Sequence, residues 1–228
     1  MPKKFIQANR IWDDFCGGLG VVDGLVPLFG LASTGHVLTH DVGANLRMLL
    51  RRSPEMEALI RREAHLAVED YNAGRRLIDG LIYMMGWKEN DRFLPLYIGK
   101  AETFGRGGGN LSVNLKSLDR DTSKFARWGD GYAYHIGDLS ACVLPGHPAK
   151  HQHDKYRDWA STLFESAPTE MPILSKPVWF WARAWDNTQP GIWTELGPTR
   201  LAFLEYTMIG VASMVSPYLL NREGRQRL

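Results

Sequence analysis

Six side chains able to move protons or hold phosphate oxygens stand in order along this chain: Tyr83, Tyr97, Lys100, Arg106, Glu205 and Asn221. A phenol takes a proton from water only if its pKa, normally about 10, is lowered by a nearby cation or metal. Lys100, close to Tyr83 if the two share a short hairpin, is the cation expected to do this. A guanidinium donates two parallel hydrogen bonds, so Arg106 suits the charge that develops on non-bridging phosphate oxygens. Glu205 is the only charge between Leu201 and Val215. A carboxylate on so apolar a helix needs a hydrogen bond, an ion pair or a metal. Together these types fit hydrolysis of a phosphodiester by water. Glu205 would hold Mg²⁺ or Mn²⁺, Tyr83 would be the base, Tyr97 would orient phosphate or water, and Asn221 would tie a sheet to the segment closing over it.

The elements that must position them are readable from patterning. "GLIYMMGW" and "LPLYIGKA", joined by the polar "KENDRF", are rich in β-branched and aromatic residues and predict an antiparallel hairpin. "GRGGGN" is a turn. In "LSVNLKSLDRDTSKFARWGDG", Leu111, Leu115 and Leu118 recur at helical spacing, and Lys116, Arg120, Lys124 and Arg127 fall along one helical face. That face is a candidate stripe for tracking DNA phosphates, with a solvated face as the plain alternative. "YAYHIGDLSACVL" is expected to be a strand carrying His135, which is either a core histidine or a second base. "YRDWASTLFES" predicts a helix, "PVWFWARAW" a strand, and "TRLAFLEYTMIGVASMVSP" a long helix that Thr199 can cap, with Leu201, Leu204, Met208, Ala212 and Val215 innermost. Upstream, "SPEMEALIRREAHLAVEDYNAG" has a capping Ser53, Pro54 at the first position and Glu55 and Glu57 at the positive end.

Tyr83 in "LIY", Tyr97 and Gly99 in "YIG", Arg106, Glu205 in "FLEYTMI" and Asn221 in "PYLLN" resemble the pattern of GIY-YIG nucleases over about residues 80 to 222. The first motif departs from it, with Leu81 where glycine is usual and Gly80 one place early. The resemblance implies an α+β fold, a small antiparallel sheet flanked by helices, with one divalent metal and cleavage of double-stranded DNA. It is similar to the compact restriction-enzyme branch of that superfamily, with the extra segments as candidates for target recognition and a homodimer as a candidate assembly. On this reading residues 1–79 are a helical extension, 80–222 the catalytic domain with an insertion at about 143–197, and 223–228 a tail.

Composition narrows the rest. Across 228 residues, 27 basic and 25 acidic side chains leave a net charge of +2, so nucleic acid would be held by a local patch rather than a global field. The two cysteines, Cys16 and Cys142, form no C-x-x-C pair, and a reduced, cytoplasmic protein is expected. The apolar run 17–31 contains Asp23 and falls short of the roughly 20 residues a spanning helix needs. His147, His151, His153 and Asp154 are zinc-type ligands in what reads as a solvated loop. The tryptophans of "VWFWARAW" can stack on bases or pack on two faces, and "GRGGGN" lacks the P-loop lysine and hydroxyl. A binding module that keeps the fold without catalysis is the alternative function, and a metabolic or structural protein with a coincidental YIG a third.

Overall fold

The structure, a computed structural model, describes residues 3–105 and 107–225. The expected α+β class is what it shows: a four-stranded antiparallel sheet with helices on both faces, and a separate two-stranded hairpin. Strands β4 (Ile78–Glu89) and β5 (Arg92–Glu102) form the long hairpin. They are joined tightly, with Glu89 opposite Arg92 and Asn90 in the left-handed region at φ 55°, which asparagine tolerates better than most residues. Pairing places Tyr83 opposite Gly99, Met85 opposite Tyr97 and Ile82 opposite Lys100.

The other side of β4 pairs with β6 (Trp179–Asp186), whose far edge meets the short β1 (Val26–Pro27). Two expectations about boundaries are thereby corrected. The tryptophan-rich segment assigned to an insertion is an inner strand of the main sheet, because its alternating side chains are buried on both faces. Residues 1–79 are not a helical appendage either. They supply β1, the hairpin β2 (Thr39–Val42) with β3 (Arg47–Leu50), and two helices that cover opposite faces of the sheet.

Strand alternation divides the interior in two. On one face Leu81, Tyr83, Met85, Tyr97, Phe180 and Ala182 pack with Met56, Leu59 and Ile60 of α2 (Pro54–Asn72), and with Trp128 and Trp159. Helices α4 (His135–Val143) and α5 (Asp154–Leu163) lie on this side. On the other face Ile82, Met84, Ile98, Trp181 and Trp185 meet Trp12 and Phe15 of α1 (Lys3–Gly18) and Leu201, Leu204 and Met208 of α6 (Leu201–Val215). Ser53 caps α2 as read, accepting from the Met56 amide at 2.9 Å. Helix α6 begins one residue after Arg200 without a side-chain cap, and Thr199 instead donates to the Gly197 carbonyl at 3.0 Å and accepts from the Gly191 amide at 3.1 Å.

Two local expectations fail. Residues 111–131 do not make one helix: α3 (Val113–Lys116) lasts a single turn, and a 3₁₀ turn follows at Thr122–Lys124. Asp121 accepts from both the amide and the hydroxyl of Ser123, a local bond that competes with helix continuation. Residues 135–143 are a helix rather than a strand. Every residue of α4 is buried, so no polar face marks its 3.6-residue period and the apolar run reads equally as a strand.

Among the described residues no helix is long and apolar enough to cross a membrane.

Candidate active site

The open edge of β5 is closed by the chain leaving α6. The Leu220 amide donates to the Leu96 carbonyl at 2.7 Å. Asn221 then takes the place of a strand residue: its Oδ1 accepts from the Ile98 amide at 3.0 Å and its Nδ2 donates to the Ile98 carbonyl at 2.8 Å. A side-chain amide carries a donor and an acceptor in one plane and so can answer a peptide's acceptor and donor together.

Beside that clamp lies a cavity of about 430 Å³ whose lining includes Tyr97, Lys155, Glu205, Tyr206, Asn221 and Arg222. Elements from both faces of the sheet reach it around the β5 edge, α5 bringing Lys155 and α6 bringing Glu205. Glu205 is partly buried, at 23% side-chain exposure, with Lys100 Nζ 3.7 Å from its Oε2. Burial raises its carboxyl pKa above the usual range, and Lys100 counters only part of that effect. Burial alone would depress Lys100, but Glu102 at 2.8 Å and Glu205 together raise it.

The tyrosines separate sharply. Tyr83 is 1% exposed. Its hydroxyl lies 2.9 Å from His135 Nε2, and His135 Nδ1 lies 2.8 Å from the Tyr156 hydroxyl, so phenol, imidazole and phenol form one buried chain. Trp128, Trp159 and Phe180 surround the chain. Desolvation, followed by the neighbouring Tyr97, pushes the Tyr83 phenol well above its ordinary value, and desolvation pushes the His135 imidazole well below its own. Gly99 makes this packing possible, since a Cβ there would sit 2.6 Å from the Tyr83 hydroxyl oxygen.

Tyr97 is also mostly buried, but it borders the cavity, and Lys155 Nζ donates to its hydroxyl at 3.1 Å. Burial and then Glu205 raise the Tyr97 pKa, so it is an uncharged phenol at neutral pH.

The activation expected of Lys100 is corrected by register. Lys100 stands opposite Ile82 and therefore on the α6 face, whereas Tyr83 points to the α4 face. One residue of offset puts the sheet between ammonium and phenol. Tyr83 itself is sealed from the cavity, which removes the water access a base requires.

Arg106 lies outside the described residues. Lys116, Arg120 and Lys124 are exposed, but with the helix broken they share no helical face, and Lys124 pairs with Asp121 at 3.6 Å. Arg127, expected among them, is half-buried near the aromatic cluster instead, with a left-handed backbone at φ 71°. Its loop is anchored by Arg52, which donates to the Trp128 carbonyl at 2.6 Å and to Asp130 at 3.1 Å. The histidine-rich stretch is also more ordered than a solvated loop. His147 is buried, contacting the Tyr132 hydroxyl at 3.0 Å and the Met48 carbonyl at 2.9 Å, and His151 stacks on the Tyr132 ring. Among the described residues no group of three or more His, Cys, Asp or Glu side chains is placed to hold a metal ion.

The residues that sequence reasoning missed are Lys155 and Tyr156. Lys155 lies over the rings of Tyr97, Tyr156 and Trp159, at 4.5, 5.2 and 5.3 Å from their centroids. The available signal is "KYRDW" at the start of α5, where Lys155 and Trp159, four positions apart, share one helical side. No family profile, curated protein or solved structure matches the chain.

Proposed function

We propose that the chain is a divalent-metal-dependent endonuclease acting on double-stranded DNA, with the cavity at the β5 edge as its active site. The observation carrying this reading is convergence: Tyr97, Glu205 and Asn221, dispersed over more than half the sequence, meet around one cavity. Glu205 is suited to hold the metal, because a single carboxylate leaves positions for water and phosphate around Mg²⁺. Its raised pKa marks a carboxylate that gains from a nearby cation beyond what Lys100 supplies. The metal, when bound, would lower the pKa of water and polarise the phosphoryl oxygen.

The protein's own groups then divide the remaining work. Tyr97, whose hydroxyl oxygen already accepts from Lys155, has its proton free to donate to a phosphate oxygen and orients it. Tyr83 acts from inside by holding His135, and through it the wall behind Tyr97. Arg106 retains the proposed role of phosphate clamp, and the exposed Lys116 and Arg120 that of backbone contacts.

A binding module without catalysis is favoured by one observation, the ion pair that Glu205 makes with Lys100. Incubation of purified protein with supercoiled plasmid and linear duplex, with Mg²⁺ or Mn²⁺ and with chelator, separates the two. Wild type should cut only with metal, and Glu205→Gln, isosteric and uncharged, should lose at least about a hundredfold, since even partners behind a metal ligand typically cost ten- to a hundredfold. DNA bound but uncut under all these conditions would establish the module.

A further inference from the structure

Lys155 and Arg127 are half-buried cations without an anion. Neither makes an ion pair with a carboxylate among the described residues, as the half-buried Arg61 and Lys100 do; Arg47 and Arg183 make none either, but of these four Lys155 alone lines the cavity at the β5 edge. Lys155 Nζ has three donors, and the only hydrogen bond among the described residues goes to the Tyr97 hydroxyl. Its ammonium otherwise faces aromatic rings and the cavity. Around it, Tyr97, Tyr156 and Trp159 provide low-polarity walls in which an added negative charge would be felt strongly. Burying a cation this way is costly unless something negative joins it.

We infer that Lys155 is the seat for one phosphate of the bound nucleic-acid strand, held in the cavity between α5 and α6 beside Tyr97. This rests on the endonuclease reading and adds to it a phosphate ligand that comes from α5, outside the segments carrying the tyrosine, arginine and glutamate motifs. Burial, followed by the charge of Arg127, depresses the Lys155 pKa to about 8. A bound phosphate dianion or diester would restore it. The free site thus exposes a partly deprotonated amine near neutral pH, and the occupied site an ammonium.

The test combines amine footprinting with binding in chelator, so that it does not depend on turnover. Wild-type protein is pulsed with an acylating reagent at pH 8, alone, with a duplex oligonucleotide, and with inorganic pyrophosphate, and acylation at each lysine is read by peptide mass spectrometry. Lys155 should be acylated several-fold faster than the exposed Lys116 and be protected by the duplex. Arg127→Gln should slow Lys155 acylation by restoring its proton.

In parallel, Lys155→Met should weaken duplex affinity about tenfold, the size of one charge-assisted bond. It should also reduce the salt slope by about one. Lys155→Arg should recover most of the affinity. A folded Lys155→Met protein with unchanged affinity and slope, or a Lys155 unprotected by a duplex that wild type demonstrably cuts, would overturn the inference while leaving the nuclease reading standing. If wild type binds no duplex, the nuclease reading fails instead. Protection by pyrophosphate would then keep the anion seat for a small phosphate ligand, and lack of protection would remove it.

Discussion

Tyr83 and Tyr97 belong to adjacent strands and point to the same face of the sheet with ring centroids 6.4 Å apart, yet they occupy different kinds of place. Tyr83 lies on the inner strand of the hairpin, paired on both sides, and its hydroxyl has been given to a buried histidine. Tyr97 lies on the edge strand, and its hydroxyl meets a lysine at the mouth of a cavity. The difference follows from sheet position alone. An inner strand can reach ligand only through its neighbours, whereas an edge strand meets the segment closing over it and whatever binds there. Of two tyrosines equal in a sequence motif, the fold makes one a structural partner and the other a contact residue.

Exchanging each phenol for phenylalanine should show this division most plainly. Tyr97→Phe removes the donor at the cavity and should slow cleavage about a hundredfold, the usual cost of one donor to a developing anion. Its melting temperature should move less than that of Tyr83→Phe, because the hydroxyl borders the cavity and its one partner, Lys155, does too. Tyr83→Phe leaves His135 with a buried, unmatched nitrogen and should destabilise by about 1–3 kcal/mol, with kcat within a few-fold of wild type. Parallel single-turnover rates and denaturant melts check both. Equal loss of rate in both variants would erase the distinction and return Tyr83 to the chemistry.

Legibility followed how locally each feature is encoded. The hairpin was plain because "IYMMGW" and "LPLYIG" carry β-branched and aromatic residues on both sides of a polar turn. The α6 helix is plain because Pro198 and Pro217 frame it and Leu201 to Val215 carries a single charge, and the position of Asn221 after Pro217 marks the closing segment. The role of β6 was hidden, since nothing in "VWFWARAW" says which strand it pairs with, and pairing over a hundred residues is a tertiary fact. Helix α4 reads as a strand in the sequence because a helix buried on all sides has no amphipathic period. Lys100 is near Tyr83 along the hairpin yet on the opposite face, which sequence nearness does not show without the alternation of side chains. Lys155 carries little signal in the sequence because its environment is made by Tyr97, Tyr156 and Trp159, which only the fold brings together.

The edge strand's dependence on its closing segment gives a prediction of intermediate size. Asn221→Ala removes the donor and the acceptor that satisfy Ile98 and should cost about 1–3 kcal/mol, with amide exchange at Ile98 accelerated and exchange at Tyr83 unaltered. Asn221→Asp restores the acceptor but has no donor for the Ile98 carbonyl, so it should recover only part. Exchange that quickens equally at both residues would mean the two strands open as one unit and that the edge has no separate stability.

The smallest effect concerns the inner site and is read from pH. His135 is buried among Tyr83, Tyr97, Tyr156, Trp128 and Trp159, with Lys155 and Arg127 as the charged groups that bear on it, and its pKa is lowered well below 6.5 by desolvation and then by those two cations. A histidine that is neutral in the fold but titrates near 6.5 in the unfolded chain binds fewer protons when folded, so stability rises with pH. Its contribution is intact above about pH 6.5 and is lost as pH falls from there toward the lower folded value, at up to about 1.4 kcal/mol per unit. The wild type should therefore lose roughly 1 kcal/mol more than His135→Gln between pH 7 and 5.5 in urea titrations, because glutamine carries no titrating nitrogen. Other acid-sensitive groups are common to both proteins and cancel in the difference. Parallel pH curves would show that the imidazole titrates in the fold as it does in the unfolded chain, with the Tyr83 chain open to solvent, and the contrast between a sealed tyrosine and an edge tyrosine would fall with it.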